Sequence, residues 1–241
     1  MAYLKYHNDD FLNVARGLVR GCSVRNLFGY NDEIGTTFIP AWENATAYTY
    51  PTANTTMGIS STVSADNSTV LVNGLDSDYN IITQTVTLSG TANTVVSTPF
   101  FRINDLVVVS GTANGVVSLI GGSTTYAKIR AGEGRNQASI FTVPANHSYY
   151  LNRISAFCAS AALNNRTLAF RNFVANNGAG TSFRVAQTEF LEQMIIDRQY
   201  PFKYGEKSDV QFQLKGSAGT QFIGVFGEGV LIDESSTGLR S

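Results

Sequence analysis

The residues that most often carry catalysis or hold metals are few and scattered in this chain. There are two histidines, His7 and His147, and neither has cysteine, histidine or carboxylate neighbours at a spacing typical of a metal site. No Gly-x-Ser-x-Gly nucleophile elbow occurs, although a Ser-His-Asp triad assembles in space and sequence order alone does not exclude one. We therefore predict that the protein is not an enzyme and has no catalytic residue, no bound cofactor and no metal ligand.

The segment Asp76-Ser77-Asp78-Tyr79-Asn80 resembles the front of a calcium-binding loop. An EF-hand loop requires glycine directly after this segment and a bidentate glutamate at its twelfth position, where this chain has Ile81 and Thr87. The EF-hand interpretation therefore fails. A looser calcium site between β-strands stays open as an alternative, and a hydrogen-bonded turn is the simpler interpretation.

Acidic and aromatic residues offer a weaker indication of carbohydrate chemistry. A glycosidase needs a pair of carboxylates. The second half of the chain offers three candidates for this pair: Glu189, Glu192 and Asp197. Candidate stacking platforms for a sugar are Trp42, Tyr149 and Tyr150. The spacing of the carboxylates does not indicate a site, and packing in the core is the favoured interpretation of the aromatic residues.

Composition favours a packed protein over a free nucleic-acid-binding or membrane protein. Of 241 residues, 43% are hydrophobic and 15% are charged, and the net charge is −1. The low charge predicts a component of an assembly, and the missing basic excess argues against nucleic acid as a partner. The first residues have no apolar stretch of signal-peptide length, and no run of about 18 apolar residues indicates a membrane span. The two cysteines, Cys22 and Cys158, are predicted to be buried reduced thiols.

The element that organises the chain is a predicted β-hairpin from Thr69 to Leu88. On its second arm, Val86 and Leu88 share one face with Ile82, while threonines occupy the other face. Alternation at period two predicts that the first face packs on a core. We expect the turn to begin at Asn73-Gly74 and to continue through residues 76–80.

The same pattern continues along the chain and predicts an all-β fold. Short strands recur every eight to twelve residues between Gly- and Asn-rich turns, which is typical of an antiparallel β-sandwich or jelly-roll body, in one or two β units. The β-branched run from Phe101 to Val109 is expected to be a central strand, and Tyr200-Pro201-Phe202 a loop. The predicted units are an N-terminal arm or irregular segment at 1–58, sandwich parts at 59–131 and 132–233, and a flexible tail at 234–241.

Aromatic residues in the N-terminal segment are the candidate interaction residues. Residues 1–20 fit either a short helix or an extended arm, and residues 22–60 show little periodicity. Such a segment either covers the edge of its own core or reaches into a neighbouring molecule, and both alternatives stay open. The residues concerned are Phe28, Tyr30, Trp42, Tyr48 and Tyr50.

Several motifs in this order resemble a family of virion structural proteins of tailed bacteriophages, especially those of marine and cyanobacterial phages. They are Ala15-Arg16-Gly17, Phe28-Gly29-Tyr30-Asn31, Tyr48-Thr49-Tyr50-Pro51, Gly74-Leu75-Asp76, Asp78-Tyr79-Asn80, Thr85 to Gly90, Phe101-Arg102-Ile103-Asn104, Ile140 to Ala145 and Glu206 to Val210. These are sheet and turn motifs that cover most of the chain. The resemblance implies a non-enzymatic particle component.

From the composition and the resemblance together, we expect a capsid cement or decoration protein that self-associates, as a trimer, and resides in the virion. Its expected partners are other copies of itself and the major capsid protein or other virion proteins, without nucleic acid or membrane. Alternatives are a tail or fibre-attachment protein, such as an adaptor, nozzle or baseplate-side component, and a host-glycan-binding module at the tail.

Overall fold

The fold is almost entirely β-sheet, as the sequence predicts. The structure is a computed structural model that describes residues 10–44, 46–158, 167–217 and 221–236. Its one described helix, α1, is Asp10–Ala15, and no described helix has the length and apolar character needed to cross a membrane. The described strands are β1 (Cys22–Val24), β2 (Leu27–Ile34), β3 (Ile39–Pro40), β4 (Thr55–Ser61), β5 (Thr69–Leu75), β6 (Ile81–Thr87), β7 (Thr94–Phe100), β8 (Arg102–Ser110), β9 (Val117–Gly121), β10 (Thr124–Ile129), β11 (Ile140–Thr142), β12 (His147–Cys158), β13 (Leu168–Asn176), β14 (Thr181–Phe190), β15 (Gln193–Tyr204), β16 (Ser208–Gly216) and β17 (Gln221–Asp233).

Two antiparallel sheets form a jelly roll, which we call the body. Sheet A has the order β2-β17-β12-β15, and β1 pairs with the far end of the same edge of β17. Sheet B has the order β3-β16-β13-β14, and β11 also pairs with β16. Along the chain, β2, β12, β15 and β17 of sheet A are separated in turn by β3 and β11, by the pair β13–β14 and by β16 of sheet B, which is the double Greek-key order of a jelly roll. Their inner faces enclose one hydrophobic core, in which Tyr149, Phe170 and Phe212 are fully buried.

Strands β4 to β10 form a second β unit, the insert, between β3 and β11 of the body. One of its sheets has the order β10-β9-β4-β7 and the other β6-β5-β8. A separate hydrophobic cluster, which includes Ile59, Val72 and Phe100, fills the space between these sheets. The chain thus leaves the body after β3 and returns to it at β11. The predicted boundaries at residues 58, 131 and 233 stay predictions.

The predicted hairpin is present, and its turn is shorter than expected. β5 and β6 pair from Thr69↔Thr87 to Leu75↔Ile81, and Val86 and Leu88 are buried in the insert core as predicted. The turn therefore lies at residues 76–80, and the expectation that it begins at Asn73-Gly74 is wrong. Gly74 lies inside β5. A glycine is needed there because a side chain at position 74 would meet the backbone carbonyl oxygen of Arg102 on the neighbouring strand β8.

Two further expectations differ from the structure. β8 is an edge strand of its sheet, because β5 occupies the centre. Ile103, Leu106 and Val108 of β8 pack on the insert core, whereas Val109 is exposed. Tyr200-Pro201-Phe202 lies inside β15 rather than in a loop, at a bulge where four residues of β15 oppose Asn152 alone. Proline suits such a bulge because it has no amide hydrogen to leave unpaired.

The N-terminal segment contains strands where no periodic pattern was evident. β1 and β2 pair with β17, and β3 pairs with β16. In β2 the core-facing positions are Leu27, Gly29, Asn31 and Ile34. Because a glycine and an asparagine fill half of these positions, the strand lacks the apolar alternation by which a strand is recognised.

Candidate interaction surface and its supporting joint

Among the five aromatic residues predicted to make contacts, only Phe28 lies on an open sheet face. Its ring packs on Phe226, with the ring centroids 4.2 Å apart. Tyr30 is covered by the guanidinium of Arg130, whose central carbon lies 4.7 Å from the ring centroid. Trp42 is 2% exposed and donates its indole N–H to the Thr46 carbonyl at 2.8 Å. The role of these residues in contacts between chains stays a prediction.

Trp42, Tyr48 and Tyr50 form an aromatic ladder along the chain that leaves the body. Successive rings meet edge to face with centroids 5.0 Å and 4.9 Å apart. Tyr48 donates its hydroxyl to the Tyr126 carbonyl of the insert, and the Gln211 amide of the body donates to the Tyr50 hydroxyl. Burial raises the pKa of both tyrosines, so both remain neutral hydrogen-bonding groups. The ladder therefore ties the body to the insert.

The ladder ends at a buried ion pair that joins the two units. The Arg102 guanidinium from β8 of the insert binds both carboxylate oxygens of Asp209 from β16 of the body, at 3.0 and 3.1 Å. Their side chains are 6% and 3% exposed. The remaining guanidinium nitrogen donates to the carbonyls of Pro51 and Phe101, and Thr142 and Asn177 donate to Asp209. This pair is fully hydrogen-bonded, which is the condition under which a buried charge pair is tolerated.

A second set of contacts from β8 completes the joint. The Asn104 side chain exchanges two hydrogen bonds with the backbone of Thr142 on β11, as a neighbouring strand would. Asp105 binds Arg25 from the body through one carboxylate oxygen and Arg135 through the other, both at 2.5 Å. The polar side of β8 thus contacts the body while its apolar side packs in the insert.

Glu43 lies buried at the same joint with only part of its hydrogen-bonding capacity used. One carboxylate oxygen accepts the Gln137 amide from the returning chain, and the other is buried without a partner. Burial raises the pKa of Glu43 from 4.5 to about 7, and the Gln137 bond and the charges of Arg130 and Lys128 oppose this rise. Glu43 thus places an ionisable group with a near-neutral pKa between the outgoing and returning chain segments.

The outer face of sheet A exposes a row of large apolar side chains. On β17, Ile223 and Val225 point into the core, so their alternate neighbours Phe222 and Phe226 point outward. Five outward residues form what we call the apolar strip, with the exposed fractions of all but half-buried Phe28 between 40% and 50%: Phe28, Phe157, Ile195, Phe222 and Phe226. A contiguous exposed apolar patch on a protein with few charges indicates a contact surface.

Gly224 keeps the apolar strip flat. The ring of Phe157 lies directly over this glycine, and a side chain at position 224 would meet the ring. Phe157 and Phe226 are stacked with their centroids 6.2 Å apart. The strip therefore presents ring faces along the sheet, which is a shape suited to another flat surface.

Next to the apolar strip lies a row of charged side chains, the charged row, which crosses three strands. Arg153 on β12 is in register with Glu228 on β17 and with Asp197 on β15. The row lines a surface depression of about 390 Å³. None of the ion pairs among the described residues includes Arg153, and its Nε atom is buried without a partner.

The residues considered for catalysis or metal binding have other places in the fold. Asp76 accepts the backbone amides of Asp78 and Asn80 at 2.9 Å, which is the arrangement of a hydrogen-bonded turn. Tyr149 is buried in the body core, and His147 Nδ1 lies 2.7 Å from the Ala145 carbonyl oxygen. His7 lies outside the described residues.

The carboxylates and the thiols also lie apart. Glu189 belongs to sheet B, Asp197 belongs to sheet A, and Glu192 lies in the turn between them. Cys22 and Cys158 are not joined by a disulfide, and they are half-buried rather than buried as expected, because each lies at the end of a strand.

Comparisons with known proteins add little to these observations. No protein-family model and no curated protein matches the chain. A solved structure of the infectious bursal disease virus Gt strain is similar to 89% of this chain and 73% of its own, at 12% identity and a TM-score of 0.21. A similarity of this size identifies neither a family nor a role for this chain.

Proposed function

We propose that this chain is a non-enzymatic structural component of a tailed-phage virion. Within the virion it is a self-associating cement or decoration protein of the capsid. The observation that carries the proposal is the apolar strip on the outer face of sheet A, because an exposed aromatic surface on a rigid sheet binds another protein surface. The proposed partners are other copies of this chain and the major capsid protein or another virion protein.

The buried joint supports this role mechanically. Three sets of contacts hold the insert on the body: the Arg102–Asp209 ion pair, the aromatic ladder and the ion pairs of Asp105. Most polar groups of these side chains already have a hydrogen-bond partner. A unit held in this way keeps a fixed orientation when the body is anchored to a surface. The insert would then project from the particle or contact a neighbouring subunit at a constant angle.

The experiment that tests the proposal is cryo-EM of the phage particle that carries the protein, combined with the mass of the purified protein in solution. A trimer bound at many equivalent positions on the shell is the expected result. A ring of six or twelve copies at one vertex would move the protein to the tail, as an adaptor, nozzle or baseplate component. A monomer that binds no particle would overturn the structural proposal.

A further inference from the structure

We infer that the outer face of sheet A binds a second copy of this chain across a two-fold axis that runs parallel to β12 and β17, midway between them. The inference rests on the self-association proposed above and specifies its surface and its symmetry. Such an axis places β17 of one copy over β12 of the other. In the same way, β2 of one copy lies over β15 of the other, because these strands flank the central pair.

The charged row selects this arrangement. Glu228 on β17 and Arg153 on β12 are in register, so the axis between their strands brings each of them opposite the other residue in the second copy. The contact therefore contains two reciprocal Arg153–Glu228 pairs. Each pair supplies a carboxylate to a guanidinium that takes part in no ion pair among the described residues of its own chain. Charge complementarity of a surface with itself is the property that a two-fold interface requires.

The apolar strip meets itself in the same arrangement. The register aligns Phe28, Phe226, Ser155 and Ile195 across four strands. Across the axis, Phe28 lies opposite Ile195 of the second copy, and Phe226 lies opposite the small Ser155. In the next row, the Phe157 ring of each copy, which covers Gly224 of its own chain, meets the Phe157 ring of the other copy. Large side chains thus face small or apolar ones, as close packing of two sheets requires.

A two-fold contact is compatible with a trimer, because three-fold and two-fold axes coexist in a six-subunit assembly with D₃ symmetry. The expected observation for the unmodified protein is therefore an assembly with an even number of chains at high protein concentration. Light scattering coupled to size-exclusion chromatography measures this mass. A mass that corresponds to one or three chains at every concentration would overturn the inference.

Two single charge reversals and their mixture test the contact directly. Arg153→Glu places two acidic groups opposite each other across the axis, and Glu228→Arg places two basic groups there. Each variant alone should have half the mass of the unmodified protein and a dissociation constant at least tenfold larger. In an equimolar mixture, every cross-axis pair is again of opposite charge, so the full mass should return. A contact within one chain does not predict this rescue, because each variant chain still carries its own like-charged pair.

Control variants separate this effect from misfolding. Arg184→Glu reverses an exposed charge on sheet B and should leave the mass unchanged. Phe222→Lys disrupts the apolar strip without touching the charged row and should halve the mass. Its control, Phe183→Lys, changes a phenylalanine of similar exposure, 50% against 48%, on the edge of sheet B and should not. Unchanged mass in Phe222→Lys, or a mixture that stays at half mass, would overturn the inference while leaving the virion proposal to the cryo-EM experiment.

Discussion

Arg102 and Asp209, which are 107 residues apart in sequence, form a bidentate ion pair that is almost completely buried between the insert and the body. The pair holds the insert on the body at β8, the edge strand of the β6-β5-β8 sheet. Removing one partner would leave the other charge buried and unpaired, which typically costs about 3–5 kcal/mol.

We therefore expect Arg102→Met to destabilise the protein by about 3 kcal/mol or more, as measured by urea unfolding. The matched control is Arg130→Met, because Arg130 binds Asp32 in a bidentate pair whose side chains are 31% and 39% exposed. An exposed pair contributes at most about 1 kcal/mol. Equal losses in the two variants would contradict the assignment of Arg102 as the buried link.

The buried carboxyl of Glu43 predicts a dependence of stability on pH. Because burial raises the pKa of Glu43 to about 7 from 4.5, the folded protein holds this proton more tightly than the unfolded chain does. The contribution of this proton to the free energy of unfolding is complete below about pH 4.5. It is lost as the pH rises from about 4.5 to about 7 and is absent above that range.

Glu43→Gln should abolish this part of the pH dependence and raise the melting temperature at pH 8 relative to the unmodified protein. The change in unfolding free energy at pH 8 is on the order of 2–3 kcal/mol. Melting curves between pH 4 and pH 8 measure the effect. Glu33→Gln, an exposed change nearby, is the control, and a parallel pH profile of all three proteins would rule out the role of Glu43.

The two faces of the β5–β6 hairpin predict a large effect and a small effect of the same substitution at adjacent positions. Val86 is 7% exposed in the insert core, whereas Thr85 is exposed. Val86→Asp buries an unpaired charge, which lowers the free energy of unfolding by about 3 kcal/mol or more and should unfold the insert. Thr85→Asp should be nearly neutral. Limited proteolysis and near-ultraviolet circular dichroism distinguish the two, and a normally melting Val86→Asp variant would refute the placement of this face.

Gly29 is required where β2 passes close to the rest of the body. A β-carbon at this position would lie 2.4 Å from the Ala41 carbonyl oxygen and 2.6 Å from the Ser139 β-carbon. Because backbone atoms cannot move aside cheaply, we expect Gly29→Ala to cost about 1–3 kcal/mol in thermal or urea unfolding. Gly35→Ala has no atom within 4 Å of the added carbon and serves as the control. Equal stability of the two variants would show that β2 relaxes more freely than its contacts indicate.

The parts of the fold that follow from local patterns could be predicted, and the parts that depend on distant contacts could not. Val86 and Leu88 were placed correctly on the core face because alternation at period two is visible in the sequence. β2 was missed because Gly29 and Asn31 occupy core positions. Asn31 is satisfied there by the carbonyl of Trp42, a partner that no local pattern reveals.

The candidate contact surface was equally hidden in the sequence. Phe28, Phe157 and Phe226 come from three separate segments and meet only through the register of sheet A. Among the predicted aromatic contact residues, Phe28 belongs to this surface, whereas Trp42, Tyr48 and Tyr50 pack at the joint. Apolar residues on a strand indicate burial whether the burial occurs within the chain or against a partner, so sequence alone does not separate the two.

The position of β17 has a consequence for the order in which the protein folds during synthesis. β17 lies between β12 on one side and β1 and β2 on the other, so β1 and β2 leave the ribosome without their partner and lack it until β17 has been made. The insert, in contrast, is continuous in sequence and closes on its own core. Because domains fold as units during translation, we expect the insert to fold first and to hold the unfinished jelly roll near its final topology.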